Sequence, residues 1–168
     1  MGEMRQLSGD GGKQMLDGED LALWCALNRL MVAYWADVDE NGGLQAHEFY
    51  LPEGLFLIGN NRFEGKGKIE AFYARRRHST LVTRHLLSNL RAFDDGKPEA
   101  RMVGVMSLYR ADGKSPFQGA RPPAMIADFE ARCVFGDDRR WRFQSHLLRP
   151  FIIGNDMPAS ITINPRNL

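Results

Sequence analysis

The stretch Thr80–Phe93, TLVTRHLLSNLRAF, is apolar and β-prone, yet it carries Thr83, Arg84 and His85 near its middle. A histidine at the centre of a long strand can stand in the wall of a pocket. Its ordinary pKa lies close to physiological pH, which suits it to act as a base. Elimination of water or HX, isomerisation and aldol-type cyclisation all begin by taking a proton from carbon. They need such a base in a dry cavity. A carboxylate beside the ring would fix its tautomer and stabilise the imidazolium that forms. Two candidates, Asp37 and Asp39, stand at the end of an apolar helical run. On an ideal helix the five residues from Tyr34 to Asp39 turn through about 500°, leaving the two about 140° apart. Asp37, three residues after Tyr34, shares its face better, so spacing alone leaves both open. Asn89, four residues after His85, falls on the same strand face. It is read as a polar anchor in the pocket or as the holder of a strand bulge.

Other reactive side chains offer less. His47 and His78 lie in surface turns, and His146 alternates with Gln144 on the polar side of a strand, so it is expected to face outward. Cys25 and Cys133 sit in apolar patterns and read as small core residues. No CxxC or Cys/His pair offers a metal site, and one histidine with one aspartate supplies too few ligands. No metal or cofactor is therefore expected.

The elements that must position these residues follow from periodicity. Met1–Leu16 is polar and Gly-rich and is expected to be a flexible arm, with one domain over residues 17–168. Asp17 is placed to cap a helix. From Leu21 the apolar positions Leu23, Trp24, Leu27, Leu30, Met31, Tyr34, Trp35 and Val38 repeat at three and four. That spacing predicts an amphipathic helix of about twenty residues, stopped by Asn41-Gly42-Gly43. A short helical turn over Leu44–Tyr50, a break at Pro52-Glu53-Gly54 and a short strand over Leu55–Ile58 come next. A second helix is expected over Lys68–Arg77. Four long strands follow: Thr80–Phe93, Arg101–Arg110, Met125–Phe135 and Trp141–Arg149, the last ended or pushed to an edge by Pro150. Helices first and an antiparallel meander after is an α+β arrangement. A curved antiparallel sheet of that kind can wrap as a cone around the long N-terminal helix and leave a pocket at one end. Phe129, Trp141 and Phe143 are the expected aromatic lining.

Composition narrows the partners. The net charge of +1 gives no strong field for nucleic acid or an anionic membrane. No run reaches the ~18 apolar residues of a membrane helix, and no signal-peptide pattern opens the chain. A cytoplasmic protein is the default expectation.

Particular residues resemble the nuclear-transport-factor-2-like superfamily, with its cystatin-like fold, and within it the SnoaL-like group. The likeness runs over roughly Leu21–Ile153. Tyr34 through Asp39 is similar to the family's Tyr-x-x-x-x-Asp element, and Gly65-Lys66-Gly67-Lys68-Ile69 to its entry into a later helix. Thr83-Arg84-His85 is similar to its Thr-x-His strand, and Trp141-Arg142-Phe143 to its closing strand. Two branches compete. Scytalone dehydratase, bile-acid dehydratase and a hexachlorocyclohexane dehydrochlorinase pair an aspartate at the helix end with a histidine on this strand. That resemblance implies a cofactor-free lyase or isomerase using His85 as base, Asp39 to orient it and Tyr34 as donor to a substrate oxygen. The substrate it implies is a small hydrophobic ring compound. The second histidine of scytalone dehydratase has no counterpart near Val105-Met106. The other branch is the β subunit of aromatic-ring-hydroxylating dioxygenases, with Ser107-Leu108-Tyr109-Arg110 and Phe117-Gln118-Gly119 especially similar. It implies a non-catalytic protein beside an iron-bearing dioxygenase α subunit, or a small-molecule-binding module. Members of the resembled superfamily commonly form dimers or trimers through the outer sheet face, which implies a homodimer or homotrimer; self-association with an open pocket would argue against the β-subunit branch.

Overall fold

The computed structural model describes residues 18–155. The expected arm, the Asp17 cap and the segment from residue 156 onward lie outside the described residues. Helix α1 (Gly18–Glu40) buries Leu27, Met31, Tyr34, Trp35 and Val38, the inward stripe that the three-and-four spacing predicts. Cys25 is a correction: it is exposed. It shares the outer face of α1 with Leu21 and Val32, four residues before it and seven after, and both of those are exposed too. The helix ends at Gly42 and Gly43, whose φ values of 64° and 73° are left-handed and favour glycine. A Cβ on Gly43 would lie 2.5 Å from the Tyr73 ring, so this turn also lets Tyr73 close against it.

A 3-10 turn over Ala46–Phe49 leads into β1 (Tyr50–Ile58). The break expected at Pro52-Glu53-Gly54 is a bulge inside that strand, where pairing jumps from Tyr50↔Phe143 to Leu55↔Ser145. A hairpin joins β1 to β2 (Asn61–Glu64), a strand of four residues that carries no readable periodicity. Helix α2 (Lys66–Arg76) follows, and then β3 (Leu81–Asp94), β4 (Glu99–Asp112), β5 (Met125–Phe135) and β6 (Trp141–Ile153).

The α+β reading holds: one curved six-stranded sheet, in the order β2-β1-β6-β5-β4-β3, carries α1 against its β3 end. Neighbours are antiparallel except β1 and β6, which run parallel. Two expectations for β6 are overturned. Pro150 neither ends the strand nor makes it an edge strand, because β6 lies between β1 and β5. The pairing with β1 is already over at Ile58↔Leu148, and the β5 register slips beside Pro150. The missing N–H therefore falls where the ladder is interrupted. The second overturned expectation is the orientation of His146. Pairing with β5 runs from Cys133↔Phe143 to Arg132↔Ser145, leaving Gln144 as an extra residue. A bulge shifts the alternation by one, so Phe143 and His146 both point inward and are fully buried.

A second bulge sits in β3, between Ser88↔Val105 and Arg91↔Val103. Asn89 has φ 53° there and is exposed, so it takes the bulge role. The facing Gly104 accommodates it: a Cβ would come within 2.8 Å of both Leu90 and Phe129.

Candidate functional site

Asp39 lies in the last turn of α1, beside the middle of β3. Its carboxylate is 2.7 Å from His85 Nδ1, accepts the His85 backbone N–H at 2.7 Å, and accepts the Thr83 hydroxyl at 2.8 Å. Arg76, from the end of α2, donates to Thr83 Oγ1 at 2.5 Å. Trp35 stacks on the His85 ring at 4.0 Å, with the planes 20° apart. The imidazole is thus held at its edge by a carboxylate and on its face by an indole. The side chains of His85 and Asp39 are only 4% and 8% exposed, so solvent hardly screens the pair. Asp37, the other candidate, is engaged elsewhere. It accepts the Gln45 N–H at 2.9 Å and the Asn41 amide at 3.4 Å, fastening the turn after α1.

Burial presses the His85 imidazole below its ordinary pKa, by more than Asp39 raises it. On Asp39 burial works upward, but hydrogen bonds and charge from His85, helped by Thr83, outweigh it and hold the carboxyl below its ordinary value. At neutral pH the pair is therefore a carboxylate facing a neutral ring. Since the carboxylate accepts, Nδ1 carries the proton and Nε2 carries a lone pair. Among the described residues no group hydrogen-bonds Nε2.

His85 forms part of the wall of a cavity of about 500 Å³. Trp35, Phe56, Phe63, Phe72, Met106 and Leu108 give it an apolar interior. Tyr73, Arg75, Arg76, Thr83 and Arg110 contribute polar groups. Every helix and strand supplies at least one wall residue, so the cavity exists only in the assembled fold.

Tyr34 is not in that wall. It is fully buried, with its hydroxyl 2.5 Å from Tyr73 and 3.1 Å from Tyr50. Tyr50 is in turn 3.3 Å from His146 Nδ1. These four groups form one chain from the cavity wall at Tyr73 to the core. Burial pushes all three phenols well above their ordinary pKa, so they stay protonated. With Tyr50 donating to Tyr34, and His146 Nδ1–H to Tyr50, Tyr34 is left to donate to Tyr73. The Tyr73 proton then has no protein acceptor among the described residues.

The expected lining also needs correction. Asn89 and Phe129 border a separate, more open depression of about 730 Å³, together with Arg101 and Arg149. Trp141 borders depressions beside α1. Phe143 is fully buried, 5.3 Å from the Tyr34 ring and 5.1 Å from that of Tyr50. Where a pocket beside Phe143 was expected, Tyr34 of α1 and Tyr50 of β1 fill the space. Tyr73 gives no signal in the sequence, and the run Arg75-Arg76-Arg77 reads there as a solvated face; the structure puts Arg75 and Arg76 in the wall because α2 meets β3 only in the tertiary fold. His146 was misjudged because a bulge has no period. Among the described residues, no group of three or more His, Cys, Asp or Glu is placed to hold a metal ion, and no helix is long and apolar enough to cross a membrane.

Comparison with known proteins agrees with this architecture. A family model described as a SnoaL-like domain matches residues 20–146. Comparison with curated proteins gives no match. A candidate scytalone dehydratase from Novosphingobium aromaticivorans superposes with a TM-score of 0.72 at 18% identity, over 87% of this chain and 95% of that one. A candidate aromatic ring hydroxylase from the same organism gives 0.65 at 14% identity, over 79% and 91%. A nuclear-transport-factor-2-like protein with a cystatin-like fold, again from that organism, gives 0.64 at 14% identity, over 84% and 87%. At these identities the likeness is one of fold.

Proposed function

The chain belongs to the SnoaL-like domain family, within the nuclear-transport-factor-2-like superfamily, and on that premise we propose that it is an acid–base lyase or isomerase acting on a small hydrophobic ring compound. The observation that carries this reading is the 2.7 Å contact between Asp39 and His85 Nδ1 in the wall of an apolar cavity. It leaves the Nε2 lone pair as the basic atom.

In the elimination we envisage, Nε2 takes a proton from the carbon next to a ring carbonyl. The C–H electron pair moves into the ring as an enolate, and the carbonyl oxygen gains negative charge. A donor aimed at that oxygen stabilises the developing charge. Tyr73 suits this role better than Tyr34, because it lines the cavity and Tyr34 does not. Tyr34 then acts as a positioning residue, holding the Tyr73 oxygen through its own hydroxyl. Re-forming the carbonyl expels the hydroxyl on the β-carbon, which leaves as water with the proton returned from Nε2. Asp39 keeps Nδ1 protonated throughout and stabilises the imidazolium between the two transfers. Stopping at the enolate and returning the proton to a different carbon would be an isomerisation. Neither route asks for a cofactor.

The volume of about 500 Å³ suits a ligand of one to three rings. We also read the protein as a homodimer, or failing that a homotrimer, whose mass in light scattering tests the point. A β-subunit role beside a dioxygenase α subunit is the weaker reading, since it leaves the carboxylate-held histidine without a task.

The test follows deuterium entry at the α-carbon of 2-tetralone in D2O by NMR. Exchange catalysed by the protein and lost in His85→Ala is the expected result. Exchange that survives the substitution would sink the assignment of His85 as the base.

A further inference from the structure

Arg75 and Arg76 line the cavity on the α2 side, and among the described residues no aspartate or glutamate lines it. Four arginines away from the cavity sit beside carboxylates: Arg62 with Glu64, Arg101 with Asp95, Arg132 with Glu130, and Arg142 with Asp138. Those pairs lie on the outside, where water would have solvated the guanidinium in any case. Arg76 is half-buried against the apolar cavity, where an unpaired cation costs most. Yet among the described residues its only hydrogen-bond partner is the Thr83 hydroxyl, through Nη2. A guanidinium offers five N–H donors, so most of its donor fork is unused. The Asp39 carboxylate accepts from His85 and Thr83 and is not among the residues that line the cavity. Arg75 is the exposed neighbour of Arg76 on the same wall and has no ion pair among the described residues.

We propose that the ligand of this cavity is a ring compound bearing a carboxylate, with the ring among Trp35, Phe56, Phe63 and Phe72 and the carboxylate on Arg76, backed by Arg75. The inference rests on the cavity reading above and narrows its substrate class. A planar carboxylate matches the fork of an arginine in a two-point contact. It also supplies a counter-charge to Arg76, which among the described residues has none in an ion pair. The arrangement has a catalytic consequence. Arg76 joins the ligand to Thr83 and so to Asp39, which fixes the ring of the ligand at one end of the line that places His85. Anion and base are then held by residues seven and nine positions apart in sequence, Arg76 with Thr83 and His85, on two elements that a single short turn connects.

Calorimetric titration of the full chain with 2-naphthoate and with its neutral isostere 2-naphthamide tests this without turnover. Naphthoate should bind at least about tenfold more tightly, as expected for a charge-assisted pair in a partly buried site. Arg76→Gln should bring the two within about twofold while leaving naphthamide affinity unchanged, which also shows that the cavity is still folded. Arg76→Lys should keep part of the preference, and Arg75→Gln should reduce it less than Arg76→Gln does. Equal affinities in the parent protein, a preference that survives Arg76→Gln, or no naphthoate binding at millimolar concentration would each overturn the proposal. A tighter grip on phenyl phosphate than on benzoate would overturn the carboxylate in favour of a phosphate. None of these outcomes depends on His85, so the deuterium-exchange experiment can fail or succeed independently.

Discussion

His85 and His146 touch the same indole. His85 stacks flat on Trp35 at 4.0 Å, and His146 meets it edge-on at 5.4 Å. Both rings are buried, and burial lowers the pKa of each. What differs is the remainder of the surroundings. His85 has a carboxylate at Nδ1 and a cavity beside it. His146 has a phenol at Nδ1, no partner at Nε2 among the described residues, and the rings of Tyr34, Phe56, Phe129 and Phe143 around it. Burial, followed by the charge of His85, pushes its pKa down to about 3. A histidine in that setting keeps its Nδ1 proton, hydrogen-bonded to Tyr50, but has no carboxylate among the described residues to stabilise a second one. The comparison teaches that burial alone makes a histidine inert. In the proposed reaction, a carboxylate and an opening are what make His85 the base.

The largest expected effect separates the two rings directly. His85→Ala should lower turnover by about 10²–10⁴-fold, the usual contribution of a positioned general base, while changing stability by no more than about 1–2 kcal/mol. His146→Phe, which keeps an aromatic ring in the same aromatic cluster, should lower kcat/KM less than tenfold. Steady-state kinetics on the two purified variants checks both. Equal damage from His146→Phe in a folded protein would erase the distinction and make His146 a second participant.

Next in size is the phenol chain that links the two regions. Tyr73→Phe removes the hydroxyl at the cavity wall and should lower kcat by about 10²-fold. Tyr34→Phe, one step deeper, should lower it by less than tenfold, because Tyr73 keeps its own proton. The reversed order would return the donor role to Tyr34. Gly43→Ala should resemble Tyr73→Phe in kinetics and also lower Tm, since its Cβ would collide with the Tyr73 ring.

The sequence carried one of these regions far better than the other. Met125–Phe135 alternates without interruption, so its inward residues could be read directly. The contact between Asp39 and His85 was foreshadowed by the resemblance, which sets an aspartate at the helix end against a histidine on this strand. Choosing between Asp37 and Asp39 from the residues alone was not possible, because helix spacing favours the former. Only the docking of the helix end on β3 shows that Asp37 is spent on Gln45 and Asn41. The His146 region was illegible for a definite reason. One extra residue, Gln144, inverts the strand face, and nothing in the local pattern around Trp141–Arg149 announces it. The arginines of the cavity are likewise tertiary facts, since a basic run at a helix end reads as a solvated face until a strand lies beside it.

The acid sensitivity of the fold should report on His146. Its folded pKa lies below its unfolded one, so between about 6.5 and about 3 the unfolded chain binds the extra proton. Stability is then complete above the unfolded value and is lost as pH falls through that window, by up to about 1.4 kcal/mol per pH unit for one such group. Denaturant melts of the parent and of His146→Phe should diverge as pH falls, the variant losing less. Parallel curves would mean that His146 is not the buried neutral group described.

The smallest effect concerns the pH profile of the reaction, and it distinguishes the charges around His85. Only the neutral ring is a base, so kcat/KM should fall with acid as Nε2 takes a proton. The midpoint should lie below the ordinary histidine value, because burial lowers it most. Asp39 pulls the other way by favouring the imidazolium, and Arg76 reinforces burial by repelling it. The two variants must therefore shift the limb in opposite directions. Asp39→Asn should move it further down, with residual activity followed at high enzyme concentration, and Arg76→Gln should move it up. A common direction for both would show that the limb is not the titration of His85. Opposite shifts would locate the proton on the ring between a carboxylate that holds it and a guanidinium that repels it, the asymmetry that His146 lacks.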